Sequence, residues 1–112
     1  MNVLEEMNGD LMILKLQDPR LDASTAPALR EALIERIAKG HQSIIIDLGD
    51  VGFMDSSALG ALIAAVKKLG PVGTIAVASM RTPVARLFSV TKMDRVFAVH
   101  PTVADAVRSL AA

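Results

Sequence analysis

Ser43-Ile44-Ile45-Ile46-Asp47-Leu48, then Gly49-Asp50-Val51-Gly52, then Phe53-Met54-Asp55-Ser56-Ser57-Ala58-Leu59-Gly60: the reading of this stretch decides the fold. Its first six residues form a short, continuous run rich in β-branched side chains, the pattern of a strand covered on both faces. Its last residues open an apolar helix that runs on to about Leu69. Asp55 or Ser56 is the natural N-cap, because a short side-chain oxygen can accept from amides left unpaired in the first helical turn. A hydroxyl placed there sits where backbone N–H groups and the positive end of the helix dipole favour negative charge.

Working outward toward the C-terminus, Lys67 and Lys68 fall near the end of that helix, where the dipole favours cations. A helix apolar nearly all round is either deeply buried or faces a partner. Val72 to Ala78 is the next predicted strand. Thr82-Pro83 is a cap-plus-first-turn signature for a helix carrying Val84, Leu87 and Phe88. Val96 to Val99 is a final short strand. Thr102 with Asp105 resembles a capping box, and Val103, Val107 and Leu110 form the last helical stripe.

Toward the N-terminus, residues 2–7 and 11–16 are strand-like runs around Asn8-Gly9, a two-residue hairpin signal. Asp18-Pro19 turns the chain, and Leu21-Asp22-Ala23-Ser24-Thr25 leads into a helix with Pro27 in its first turn. Leu29, Leu33, Ile34 and Ile37 give its inward stripe; Arg30, Glu31, Glu35 and Arg36 give its wet face; Gly40 stops it. Strands alternating with helices imply right-handed parallel crossovers, and the opening hairpin adds an antiparallel edge. The expected fold is α/β: one domain spanning residues 1–112, a mixed sheet of four to five strands with about four helices.

Composition agrees with a packed domain. Of the 112 residues, 52% are apolar, while aromatics amount to three Phe with no Trp or Tyr, so Leu, Ile, Val, Ala and Met must build the core. A chain of this length buries about 65% of its unfolded surface. The absence of cysteine excludes disulfides, thiolate zinc sites and cysteine nucleophiles. No long uncharged apolar run and no basic-then-apolar leader is visible, so a soluble cytoplasmic protein is expected. A net charge of zero argues against a general nucleic-acid binder. The charges are unevenly placed, with ten acids and five bases in residues 1–56 against two acids and seven bases in residues 57–112. Asp22, Asp47, Asp50 and Asp55 all belong to the acidic half.

Enzyme readings find little support. A serine hydrolase needs a Ser held by a base and an oxyanion hole, yet there is no G-x-S-x-G elbow, and only His41 and His100 could serve as imidazole bases. His41 precedes the Ser43–Leu48 strand and Ser56 follows it, which puts them at opposite edges; His100, beside Pro101 at a strand end, could lie nearer. The glycines form neither G-x-G-x-x-G nor a P-loop, and Gly49 and Gly52 shape the loop before the helix. A metal site would have to be built from carboxylates alone, a set that holds Mg²⁺ weakly without substrate phosphates. No cofactor is expected. Asp55-Ser56-Ser57 also reads simply as a helix start. Three neighbours point beyond that: Phe53-Met54 puts bulky apolar groups beside the cap, Asp55 can take the capping role and leave a Ser hydroxyl facing solvent, and Gly60 costs roughly 1 kcal/mol in a helix relative to Ala unless something approaches closely.

With those residues in place, the chain closely resembles the anti-anti-sigma factor (anti-sigma factor antagonist) family of STAS domains. The resemblance rests on Leu21-Asp22-Ala23-Ser24-Thr25-Ala26, on Ile45-Ile46-Asp47-Leu48 leading to Phe53-Met54-Asp55-Ser56-Ser57-Ala58-Leu59-Gly60, on Thr82-Pro83-Val84-Ala85-Arg86-Leu87-Phe88, and on Met93-Asp94-Arg95-Val96-Phe97. It implies a non-enzymatic regulator. In its unphosphorylated form it would bind an anti-sigma factor that is a GHKL-type serine kinase and so free the sigma factor. That kinase, using ATP and Mg²⁺, would switch it off by phosphorylating Ser56, and a PP2C-type phosphatase would restore it. By the same resemblance Asp22, Thr25, Met54, Asp55, Ser56, Ser57, Leu59 and Gly60 belong to the partner-binding surface. Ala58 stands where the family often has Gly. A second expectation is a STAS scaffold, or a nucleotide- or anion-binding module, in a kinase–phosphatase system without a sigma link. No direct nucleic-acid or membrane contact is expected, and a monomer is expected when the protein is free.

Overall fold

In a computed structural model, which describes residues 1–111, the Ser43–Leu48 run sits at the centre of a five-stranded sheet. Strand β4 (Ser43–Asp47) pairs in parallel with β2 (Leu11–Leu16) on one side and β6 (Thr74–Ala78) on the other. Strand β1 (Val3–Asn8) closes one edge antiparallel to β2, and β7 (Ala98–His100) closes the other parallel to β6, giving the order β1-β2-β4-β6-β7. Four helices complete the mixed α/β domain: α1 (Ala26–Ala38), α2 (Ser56–Leu69), α3 (Thr82–Val90) and α4 (Val103–Ala111).

Alternation along β4 divides the interior in two. Ile44 and Ile46 join Met12, Leu14, Ile75 and Val77 beneath α1, α2 and α3. Ile45 points the other way, with Leu11, Ile13, Ala76 and Ala78, under Ala106 of α4. All three isoleucines are fully buried, each contributing about 1.5–3 kcal/mol of transfer free energy. This two-sided cover is why the strand reads as continuously apolar rather than alternating.

Several boundaries move from their expected places, each for a local reason. The hairpin turns at Gly9-Asp10, with Asn8 still paired to Leu11; Gly9 at φ 60° supplies the positive angle a II′ turn requires at its first central residue. Ile34 lies outside the inward stripe of α1, lining an outer groove beside Pro27 and Arg30, while Arg36 leaves the wet face to bond Glu5 at 2.8 Å. Strand β6 begins at Thr74, after an exposed Val72. Helix α3 takes Arg81 rather than Thr82 as its N-cap, with no side-chain capping bond. Val96 and Phe97 precede the last strand. A 3-10 turn over Met93–Arg95 drops Phe97 into the core against Phe88, ring centroids 5.8 Å apart. The expected Thr102 cap forms, its Oγ1 accepting from Asp105 N at 3.0 Å.

Candidate functional site

Two short strands absent from the sequence reading position the site. Arg20–Leu21 (β3) pairs in parallel with Phe53–Met54 (β5), Arg20 opposite Phe53 and Leu21 opposite Met54. The pairing is reinforced at both ends: Gly52 N and Phe53 N donate to Pro19 O at 2.9 and 3.3 Å, and Asp55 N donates to Leu21 O at 3.1 Å. Leu21 and Met54 are buried, so they anchor the ladder to the core. Their neighbours then emerge in like pairs, a cation with an aromatic at one end of the ladder and two carboxylates, Asp22 and Asp55, at the other. A two-residue ladder is too short for a periodicity signal, which is why its register was not legible.

Asp55 is the N-cap of α2. Its backbone is extended, and its Oδ1 accepts from Ser57 N at 2.9 Å and Ala58 N at 3.1 Å, satisfying two of the orphan amides of the first turn. Ser56 is therefore the first helical residue, exposed to solvent, and its hydroxyl is not the cap. Ser57 and Gly60 are exposed alongside it. Leu59 and Met54, expected on the partner-binding surface, turn inward, 4% and 6% exposed. Both side chains pack into the core beneath Ser56.

Asp22 and Thr25 build the facing loop. Asp22 Oδ1 accepts from Ser24 Oγ at 2.6 Å and Ser24 N at 3.0 Å, and Oδ2 lies 3.8 Å from Arg20 Nε. The Ser24 hydroxyl bond, aided by the two loop amides and the Arg20 charge, holds the Asp22 carboxyl below the usual carboxylate range against the opposing effect of desolvation. Thr25 Oγ1 accepts from Asp22 N at 2.8 Å, so its half-buried hydroxyl shapes the loop. The other two acids go elsewhere: Asp47 accepts from Gly49 N at 2.9 Å, and Asp50 lies 3.8 Å from Lys15. Among the described residues no group of three or more His, Cys, Asp or Glu side chains is placed to hold a metal ion.

His41 lies two residues before β4, at the end opposite the Ser56 loop, and His100 ends the edge strand β7, two strands from β4. The His100 Nε2 is buried without a hydrogen-bond partner, so it makes no bond to Ser56. Gly60 opens outward: a Cβ there would meet no atom within 4 Å among the described residues. It lines a groove of about 360 Å³ between α1 and α2, with Ser57, Ala26 and Arg30. At the first pair of the ladder, the Arg20 guanidinium stacks 4.1 Å from the centre of the Phe53 ring. The sequence offered no sign of that contact beyond the two residue types. No helix among the described residues is long and apolar enough to cross a membrane.

Comparison with known proteins bears directly on this arrangement. The STAS domain family pattern matches residues 3–106. The anti-sigma-F factor antagonist RsfB of Mycobacterium tuberculosis is 31% identical over 86 residues, 77% of this chain and 70% of that one. The crystal structure of an anti-sigma factor antagonist from Mycobacterium paratuberculosis superposes with a TM-score of 0.90 at 28% identity, covering 99% of this chain and 94% of the other. The Bacillus cell fate determinant SpoIIAA, in a structure of its phosphorylated form, shares the fold with a TM-score of 0.72 at 20% identity, over 97% and 99% of the two chains.

Proposed function

This chain belongs to the STAS domain family, and from that premise we propose that it is an anti-sigma factor antagonist: a regulator, not an enzyme, that acts by binding an anti-sigma factor. In the proposed cycle residues 1–112 form a single cytoplasmic STAS domain. Unphosphorylated, it docks on a GHKL-type anti-sigma factor with serine-kinase activity and releases the sigma factor. Phosphorylation of Ser56 by that kinase ends the interaction, and a PP2C-type phosphatase renews it. Asp22, Thr25, Asp55, Ser57 and Gly60 frame the docking surface around Ser56, with Met54 and Leu59 holding it from below.

One observation carries this reading. The carboxylate of Asp55 takes the capping bonds of α2, so the exposed Ser56 hydroxyl is spare. A phosphate can be attached there without unmaking the helix start, and the dipole would offset its charge by typically 0.3–1 kcal/mol. The fold is thus expected to survive modification while a partner feels it strongly. A carboxylate ~6 Å from the added charge is repelled by about 2–3 kcal/mol per unit charge at an effective dielectric near 20. Each 1.4 kcal/mol is about tenfold in affinity, so a tight complex becomes a weak one with no rearrangement of the domain.

Incubation with the cognate kinase and ATP tests the proposal directly. Mass spectrometry is expected to find one added phosphate, on Ser56. Ser56→Asp should weaken kinase binding by tenfold or more, by the same like-charge repulsion, while Ser56→Ala should bind as the parent does and resist being switched off. Equal binding by both variants would refute the electrostatic account, and an unmodified Ser56 would favour a STAS scaffold or anion-binding module.

A further inference from the structure

Between β5 and α3 the chain presents an apolar groove of about 330 Å³ lined by Phe53, Met54, Pro83, Arg86, Leu87 and Val90. Two of its walls are large apolar side chains left in water: Phe53 is 38% and Val90 74% exposed. Phe53 is covered on one face by the Arg20 guanidinium, and Arg86 lines the groove itself. The segment from Arg81 to Arg95 that supplies the outer wall carries four basic residues and one acid, Asp94, all exposed. Among the described residues no acid lies within ion-pair distance of Arg86, Lys92 or Arg95.

We propose that this groove is a second docking surface, which takes an acidic amphipathic helix of a partner protein. Apolar side chains spaced one helical turn apart would cover Phe53 and Val90, and carboxylates on their flanks would meet Arg86 and its basic neighbours. Cover of an exposed aromatic bracketed by arginines is the kind of contact that concentrates binding energy at interfaces. The surface is opposite in sign to the Asp22–Asp55 end of the same ladder, so one partner engaging both must itself be polarised. The groove is independent of phosphorylation: a chain that no kinase modifies would still bind here.

The probe is a synthetic helical peptide with leucines at i, i+3, i+4 and i+7 and glutamates elsewhere, titrated into the isotope-labelled full chain and followed by NMR. Amide shifts are expected at Phe53, Arg86, Leu87 and Val90, saturating with peptide. Arg86→Glu and Val90→Asp, both at exposed positions, should each weaken binding by about tenfold or more. A lysine-for-glutamate peptide should bind the parent poorly and Arg86→Glu better. The proposal is overturned if shifts are absent or fall elsewhere, or if the lysine peptide binds the parent as well as the glutamate peptide. It is also overturned if the same amides shift on concentrating the protein alone, which would make a second copy the occupant. Response of these amides to phosphatidylserine vesicles but not to peptide would overturn it as well.

Discussion

Helices α2 and α3 begin alike in sequence and differently in structure, and the difference explains why only one start suits a switch. Each follows a strand, α2 after β5 of the short ladder and α3 after β6 of the central sheet, and each has a hydroxyl residue first, Ser56 and Thr82. At α2 the residue before the hydroxyl is Asp55, whose carboxylate accepts from two amides. At α3 it is Arg81, which makes no side-chain cap and sends its Nε to Gly49 O at 2.9 Å. Pro83 removes one of the amides that a cap would have served. The first solution keeps the dipole end complete and leaves a hydroxyl unused; the second trims the end by omitting a donor.

Truncation of what each helix buries separates them most. Leu62→Ala, at a fully buried position of α2, should cost about 2–5 kcal/mol in urea unfolding. Val90→Ala, at an exposed position of α3, should stay within about 0.5 kcal/mol. Next in size is the cap: Asp55→Ala should cost about 0.5–2 kcal/mol and Asp55→Asn much less, because the amide oxygen still accepts. Thr82→Ala should be close to neutral by the same measurement; equal losses at Asp55 and Thr82 would abolish the distinction drawn here.

The smallest expected effect is a pH dependence. Asp22 titrates below the ordinary value of 3.8, chiefly through Ser24. Its contribution to stability is therefore present above that value and lost as the pH falls through the depressed one. Ser24→Ala should move the Asp22 midpoint back upward in an NMR carboxylate titration, leaving stability at neutral pH nearly unchanged.

These contrasts also mark what a reader of the sequence could and could not see. The three consecutive isoleucines and the run into Leu69 announce a buried strand and its helix because burial leaves a long periodic trace. Asp55-Ser56 announces a helix start for the same local reason, through cap chemistry. The inward turn of Met54 and Leu59 is not legible, because apolar residues beside a cap look identical whether they face a partner or the interior. Thr82 reads as a cap because its hydroxyl precedes Pro83, yet Arg81 holds that position and the helix begins at Thr82 itself. The Arg20–Phe53 stack joins residues far apart in the chain, and no local pattern encodes it.

At Gly60, what stabilises the helix and what would serve the proposed docking part company. The surroundings of its Cα would admit a methyl group without contact, and alanine would favour this helix by about 1 kcal/mol. Gly60→Ala should therefore yield a protein that melts later. On the proposed reading the same methyl would hold a docked partner slightly off the surface, so the sturdier variant would be the poorer regulator, a trade between robustness and close fit localised to one hydrogen atom.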